Sequence, residues 1–245
     1  MARRVFHQEL ERLVGEIVSL GREVEVCLGV MVEAVEGWDA EIARRMVGSD
    51  ASFKERGAQI ADECMVIQAR QAPVARDLRL VYTAQAITNH LVRTGTLCEH
   101  ICCAIVETAD VQRDPDLQST IFEMSLGARD LFREGLDVFE KRDVERAQGL
   151  RADDDKVDLL YMEAMNLVVN PSTTNEGGGG EGGGEGGCGG SPEWRIRVAL
   201  VVHYLERIAD HGVAIGGRTI FLVTGERVED AMTQYRERRL EEPGE

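Results

Sequence analysis

The sequence predicts an all-α protein made of two tandem three-helix bundles, with six main helices. Apolar residues recur every three or four positions through most of the 245 residues, which is the spacing of one helical face. No segment alternates apolar and polar residues as a half-buried strand would. A set of three long helical segments occurs twice along the chain. We therefore expect two bundles, each burying three amphipathic faces against one another.

The first bundle is expected to occupy residues 1–110. Gly37-Trp38-Asp39 interrupts the first helical pattern, and Asp39 is a suitable N-cap for the helix that follows. Gly48-Ser49-Asp50 weakens the second pattern, and Pro73 ends it because proline disfavours a helical residue before it. The three predicted helices are Phe6 to Glu36, Ala40 to Ala69, and Val74 to Thr108.

The second bundle is expected at residues 111–226, followed by a C-terminal tail at 227–245. The segment 171–192 is rich in glycine, which has high backbone entropy and no side chain to bury. We expect it to be a disordered insertion between helices five and six, where a short turn would otherwise suffice. The three predicted helices are Leu117 to Glu140, Val144 to Val169, and Glu193 to Leu222.

Charge and composition exclude several classes of function. The chain has 28 basic and 44 acidic residues, a net charge of −16, which argues against binding nucleic acid or adsorbing to anionic lipid. We find no signal peptide and no apolar stretch long enough to enter a membrane. Six cysteines without a C-x-x-C pair predict reduced thiols in the cytoplasm. Phosphate-loop and nucleophile-elbow motifs are absent, so we expect no enzymatic activity.

Two pairs of acidic residues are the strongest candidates for a binding site. Asp154 and Asp158 on predicted helix five, and Glu206 and Asp210 on helix six, are each four residues apart and share a helical face. Like charges at this spacing repel, and a hard cation with oxygen ligands would relieve the repulsion. His203 is a possible additional ligand. The alternative is that these acids merely face water, beside basic neighbours.

Two arginines lie near the start of predicted helix three. Arg76 and Arg79 are three residues apart and could receive an anion or pair with a neighbouring carboxylate. We favour an intramolecular ion pair.

Several motifs together resemble those of the PhoU family, the phosphate-specific transport system accessory proteins, and most closely its actinobacterial members. The resemblance covers nearly the whole chain, to about residue 226. It is carried by five segments: Phe6 to Leu10, Ala69 to Arg79, Asp153 to Leu160, Tyr204 to His211, and Val223 to Glu226.

The resemblance implies metal-binding E(D)-x-x-x-D motifs on two helices of each bundle, often occupied by iron. The second bundle keeps all four acids named above, so we expect iron or another divalent metal there, such as Zn, Mg or Mn. The corresponding positions of the first bundle are degenerate: Asp50, Lys54, Val92 and Thr96. We expect no multinuclear metal in the first bundle, because a cation needs anionic oxygens to offset its desolvation.

The resemblance also implies a function. It indicates a cytoplasmic homodimeric adaptor that restrains phosphate uptake and phosphate-starvation signalling. Its implied partners are the ATPase of a phosphate ABC transporter and a membrane sensor histidine kinase. The residues themselves leave two alternatives open, a di-metal carboxylate enzyme and a purely structural helical bundle.

Overall fold

A computed structural model of the protein describes residues 2–170 and 190–226, and within these ranges it contains helices and no strand. The all-α prediction is therefore confirmed. The glycine-rich segment at 171–189 and the tail at 227–245 lie outside the described residues, so the predictions for them remain predictions. The helices are α1 (Ala2–Gly37), α2 (Ala40–Arg44), α3 (Asp50–Gln71), α4 (Ala75–Glu107), α5 (Pro115–Lys141), α6 (Val144–Val169) and α7 (Pro192–Thr224).

The second predicted helix is divided into α2 and α3. Asp39 caps α2 as expected, since its carboxylate accepts hydrogen bonds from the backbone of the first turn. The chain then turns at Gly48, which has a φ of +89° that glycine adopts without strain. Glu99 of α4 accepts hydrogen bonds from the backbone N–H groups of Gly48 (2.9 Å) and Asp50 (2.6 Å). A side chain from another helix therefore sets the start of α3.

The remaining helix ends follow local capping. Asp114 accepts hydrogen bonds at the start of α5, where Pro115 occupies the first turn. The Ser191 hydroxyl accepts a hydrogen bond from the backbone of Trp194 at 3.1 Å, so α7 begins at Pro192, inside the segment predicted to be a disordered insertion. That prediction is wrong for residues 190–192, because serine and proline form an N-terminal cap there.

The two bundles share one hydrophobic core. Helices α1 to α4 form the first bundle and α5 to α7 the second, but α4 also packs along α7 and α1 along α5. The buried apolar residues of both bundles form a single cluster. Trp38 and Trp194 meet edge to face across the junction, with ring centroids 5.6 Å apart. Within the described ranges, no helix has both the length and the apolar character needed to cross a membrane.

Candidate functional site

The four predicted acids of the second bundle lie on neighbouring helices that pack against each other. Asp154 and Asp158 are on α6, and Glu206 and Asp210 are on α7. Asp154 is the most enclosed, with 3% of its surface exposed. Arg195 near the start of α7 donates a hydrogen bond to the backbone oxygen of Val168 near the end of α6. This contact joins the end of one helix to the start of the other, as an antiparallel packing requires.

The acids of the two helices are close enough to act on one another electrostatically. Burial and the negative charges of Asp158 and Asp210 raise the pKa of Asp154 to about 6. Burial is the largest cause that raises the pKa of Glu206, and the negative charges of Asp210 and Asp158 add to it. Burial is also the largest cause that raises the pKa of Asp210, and the charge of Asp158 adds to it. The charge of Asp158 therefore acts on all three of the others. We call Asp154, Asp158, Glu206 and Asp210 the carboxylate cluster.

Cationic groups next to the carboxylate cluster offset only part of its charge. Arg151 lowers the pKa values of Asp154 and Asp210, and Arg207 lowers those of Glu206 and Asp210, but burial and repulsion outweigh both. His203 lies with Nδ1 3.5 Å from Oε2 of Glu206, and its side chain is 51% exposed. The cluster thus keeps an excess of negative charge beside an imidazole open to solvent.

The cluster is not arranged as a ready-made metal cage. In residues 2–170 and 190–226, no three His, Cys, Asp or Glu side chains lie close enough together to hold one ion. The donor chemistry still suits a hard cation, because carboxylates from two neighbouring helices repel one another where negative charge is in excess.

The polar side chains at the corresponding positions of the first bundle form hydrogen bonds with one another. The Asp50 carboxylate accepts a hydrogen bond from Lys54 and another, of 2.7 Å, from the Thr96 hydroxyl. Burial raises the pKa of Asp50, but these hydrogen bonds and the Lys54 charge outweigh it and lower that pKa below its usual value. Val92 packs against Gly57, where an added Cβ would lie 2.5 Å from Cγ2 of Val92. A lysine and an apolar side chain thus fill this space.

A second polar group, which sequence reasoning missed, lies where α4 meets α7. The imidazoles of His90 and His211 have centroids 5.2 Å apart, and Nδ1 of His211 lies 3.0 Å from the Thr94 hydroxyl. Burial, then neighbouring positive charges, lowers the pKa of His90 to about 4 and that of His211 to about 3. Both are therefore neutral at pH 7. No spacing rule links these positions, since only the packing of α4 on α7 brings them together.

These features define a two-repeat helical-bundle protein with a carboxylate cluster in its second repeat. The sequence model of the PhoU domain matches residues 17–105 and again residues 121–219, one match within each bundle. The chain therefore belongs to the PhoU family.

Known proteins match over most of their length. The phosphate-specific transport system accessory protein PhoU homolog of Clostridium acetobutylicum is 26% identical over 230 residues, covering 94% of this chain and 99% of that protein. The PhoU protein of Edwardsiella tarda is 33% identical over 175 residues, covering 69% and 71%. The crystal structure of PhoU from Pseudomonas aeruginosa aligns with a TM-score of 0.79 and 23% identity, covering 90% of this chain and all of that one, and so supports the fold.

Proposed function

We propose that this protein is a cytoplasmic, non-enzymatic adaptor that restrains phosphate uptake and phosphate-starvation signalling. The observation that carries the proposal is the near full-length match to a relative named as a phosphate transport accessory protein. The fold supports it, because long helices offer broad faces for protein contacts. The partners we propose are the ATPase of a phosphate ABC transporter and a membrane sensor histidine kinase, contacted by a homodimer.

A deletion strain tests this function. Without the gene, we expect phosphate uptake and phosphate-starvation transcripts to remain high in phosphate-rich medium, and the wild-type gene to restore repression. Radiolabelled phosphate uptake and transcript levels measure the two effects separately. A deletion strain with normal uptake and normal repression contradicts the proposal.

We further propose that the carboxylate cluster binds a divalent cation or iron. Asp154, Asp158, Glu206 and Asp210 would hold it, with His203 as an additional ligand. The bound ion would neutralise the repelling carboxylates and link α6 to α7. The support is electrostatic: three of the four acids have raised pKa values, partly because of one another's charge.

Metal titration of chelator-treated protein tests this second proposal. An ion that binds only the folded state must raise the melting temperature, so we expect Fe, Mn, Zn or Mg to raise it in the wild type. Asp158→Asn should abolish the rise. Asp155→Asn, which removes an exposed acid from the same helix, should keep it. An unchanged wild-type melting temperature at millimolar metal contradicts binding and favours a purely structural cluster. Oxygen consumption by iron-loaded protein would instead support the di-metal enzyme.

A further inference from the structure

The groove between α4 and α7 carries arginines that have no carboxylate partner in residues 2–170 and 190–226. Arg79, Arg93 and Arg218 form no salt bridge with any acid among the described residues. The ion pair predicted for Arg76 and Arg79 does not form within residues 2–170 and 190–226. We call Arg79, Arg93 and Arg218 the arginine strip.

Contacts across the two helices place the three guanidinium groups along one groove. The Arg79 guanidinium lies at the end of α7, where a Cβ added to Gly225 would be 3.1 Å from its Nη1. Arg218 of α7 lies 5.9 Å from the centre of the Tyr82 ring on α4. Burial is the largest cause that lowers the pKa of His90, and the positive charges of Arg218 and Arg93 lower it further. Both guanidinium groups therefore lie near that imidazole. The strip therefore follows α4 from Arg79 to Arg93.

Three further features of the groove bear on what it binds. The Nε of Arg79 is buried without a hydrogen-bond partner. Tyr82 is 53% and Leu78 45% exposed, so apolar surface lies beside the charges. Arg207 lies at the far end, but its charge also partly offsets Glu206 and Asp210, so we do not count it in the strip.

The length and composition of this surface suit a protein segment. Fourteen residues of helix separate Arg79 from Arg93, or roughly 21 Å, which is about four turns. A small anion would bridge only two of these groups. The net charge of −16 repels nucleic acid and anionic lipid surfaces, whereas a compact acidic segment meets mainly the local positive field. Exposed tyrosine flanked by arginine is also typical of protein–protein binding hot spots.

We propose that the groove between α4 and α7 is a docking surface for an acidic, amphipathic helix of a partner protein. The arginine strip would pair with the carboxylates of that helix, and Tyr82 and Leu78 would contact its apolar side. This inference rests on the adaptor function proposed above, since it states which surface of the adaptor its partner contacts and what chemistry that partner presents.

Photo-crosslinking in cells tests the surface directly. The photoreactive p-benzoyl-phenylalanine replaces Tyr82 in one strain and Val26, a 68% exposed residue of α1, in a control strain. We expect a protein crosslink from position 82, mapped by mass spectrometry to a segment rich in Asp and Glu, and none from position 26. Adding R93E and R218E should reduce the crosslink at least about tenfold, since two charge reversals remove strongly favourable pairing. R12E, at an exposed arginine of α1, should leave it unchanged.

Several results would overturn the proposal. These are no excess of crosslink at position 82, a crosslinked segment without acidic excess, a lipid or nucleic-acid adduct, or a crosslink that survives both charge reversals. If the reversed variant is misfolded by circular dichroism, the R93Q and R218Q pair replaces it and must also weaken the crosslink. An acidic segment from a protein unrelated to phosphate uptake would keep the docking surface and reject the proposed function. Altered phosphate uptake in the deletion strain, without a crosslink from position 82, would keep the proposed function and reject the docking surface.

Discussion

At the scale of single residues, Asp154 is the acid most affected by its surroundings. The residue is 3% exposed, and burial together with the charges of Asp158 and Asp210 raises its pKa to about 6. An acid whose pKa is higher in the folded than in the unfolded state stabilises the fold at low pH, and this contribution is lost as the pH rises through the folded pKa. Ionised Asp154 therefore costs the protein stability at neutral pH.

Replacing Asp154 by Asn should stabilise the metal-free protein at pH 7. A shift from the ordinary value of 3.8 to about 6 corresponds to about 3 kcal/mol in the free energy of unfolding. The gain should shrink as the pH falls below 6 and vanish below about pH 3, where the carboxyl is protonated in both the folded and the unfolded state. Urea unfolding in the presence of a chelator measures it. The pKa values of His90 and His211 lie below their ordinary value, which lowers stability on acidification, but this contribution cancels in the comparison.

Replacing the neighbouring Asp153 is a control for which we expect the opposite change in the free energy of unfolding. Burial raises its pKa, but hydrogen bonds and charges from Arg146 and Lys156 outweigh burial and lower it. Asp153→Asn should therefore destabilise the protein at pH 7. If Asp154→Asn also destabilises the protein at pH 7, the second bundle needs the Asp154 charge and the prediction is contradicted.

At the scale of helices, the approach of α5 to α7 is set by two glycines. A Cβ on Gly135 would lie 2.3 Å from the carbonyl oxygen of Gly212, and one on Gly212 would lie 2.5 Å from that of Leu131. Backbone atoms cannot move aside as a flexible side chain can. The two helices therefore pack at a distance that only glycine allows, and this contact helps to hold α7 beside α6.

Gly212→Ala should force α5 and α7 apart and destabilise the protein by about 1–3 kcal/mol, as overpacked cores do. Gly15→Ala is the matched control, since nothing lies within 4 Å of an added Cβ on that part of α1. The control should be neutral or stabilising by up to about 1 kcal/mol, because alanine favours a helix more than glycine does. Urea unfolding followed by circular dichroism measures both. Equal stability of the two variants would show that α5 and α7 separate without cost.

At the scale of the whole molecule, the two repeats are joined by apolar packing. Helices α1 and α4 of the first bundle contact α5 and α7 of the second, and the buried residues form one cluster. Both tryptophans of the chain lie at this junction, and Nε1 of Trp38 donates a hydrogen bond of 3.0 Å to the Thr108 hydroxyl. Neither bundle can therefore unfold without exposing apolar surface of the other.

We expect one cooperative unfolding transition rather than two. Tryptophan fluorescence reports on the junction between the bundles, and far-ultraviolet circular dichroism reports on all the helices. The two signals should give the same urea midpoint, because the shared core couples the bundles. A fluorescence change at lower urea than the loss of helix would show that the bundles separate first and unfold independently.

The sequence by itself determined the helices and most of their ends. Helical periodicity and caps such as Asp39 depend on residues at most four positions apart, so they can be identified along the chain. The same local rule placed each acidic pair of the carboxylate cluster on one helical face. The pairing of Asp50 with Lys54 follows the same spacing.

Only the tertiary structure decided which of these faces meet. Asp210 raises the pKa of Asp154, His90 contacts His211, and Glu99 sets the start of α3 because distant helices pack together. Within the described part of the chain the arginine strip has no carboxylate partner for the same reason, since pairing depends on the acids that neighbouring helices present. Spacing along one helix is fixed by its own geometry, whereas contacts between helices depend on the burial of the whole apolar surface, which no short segment contains.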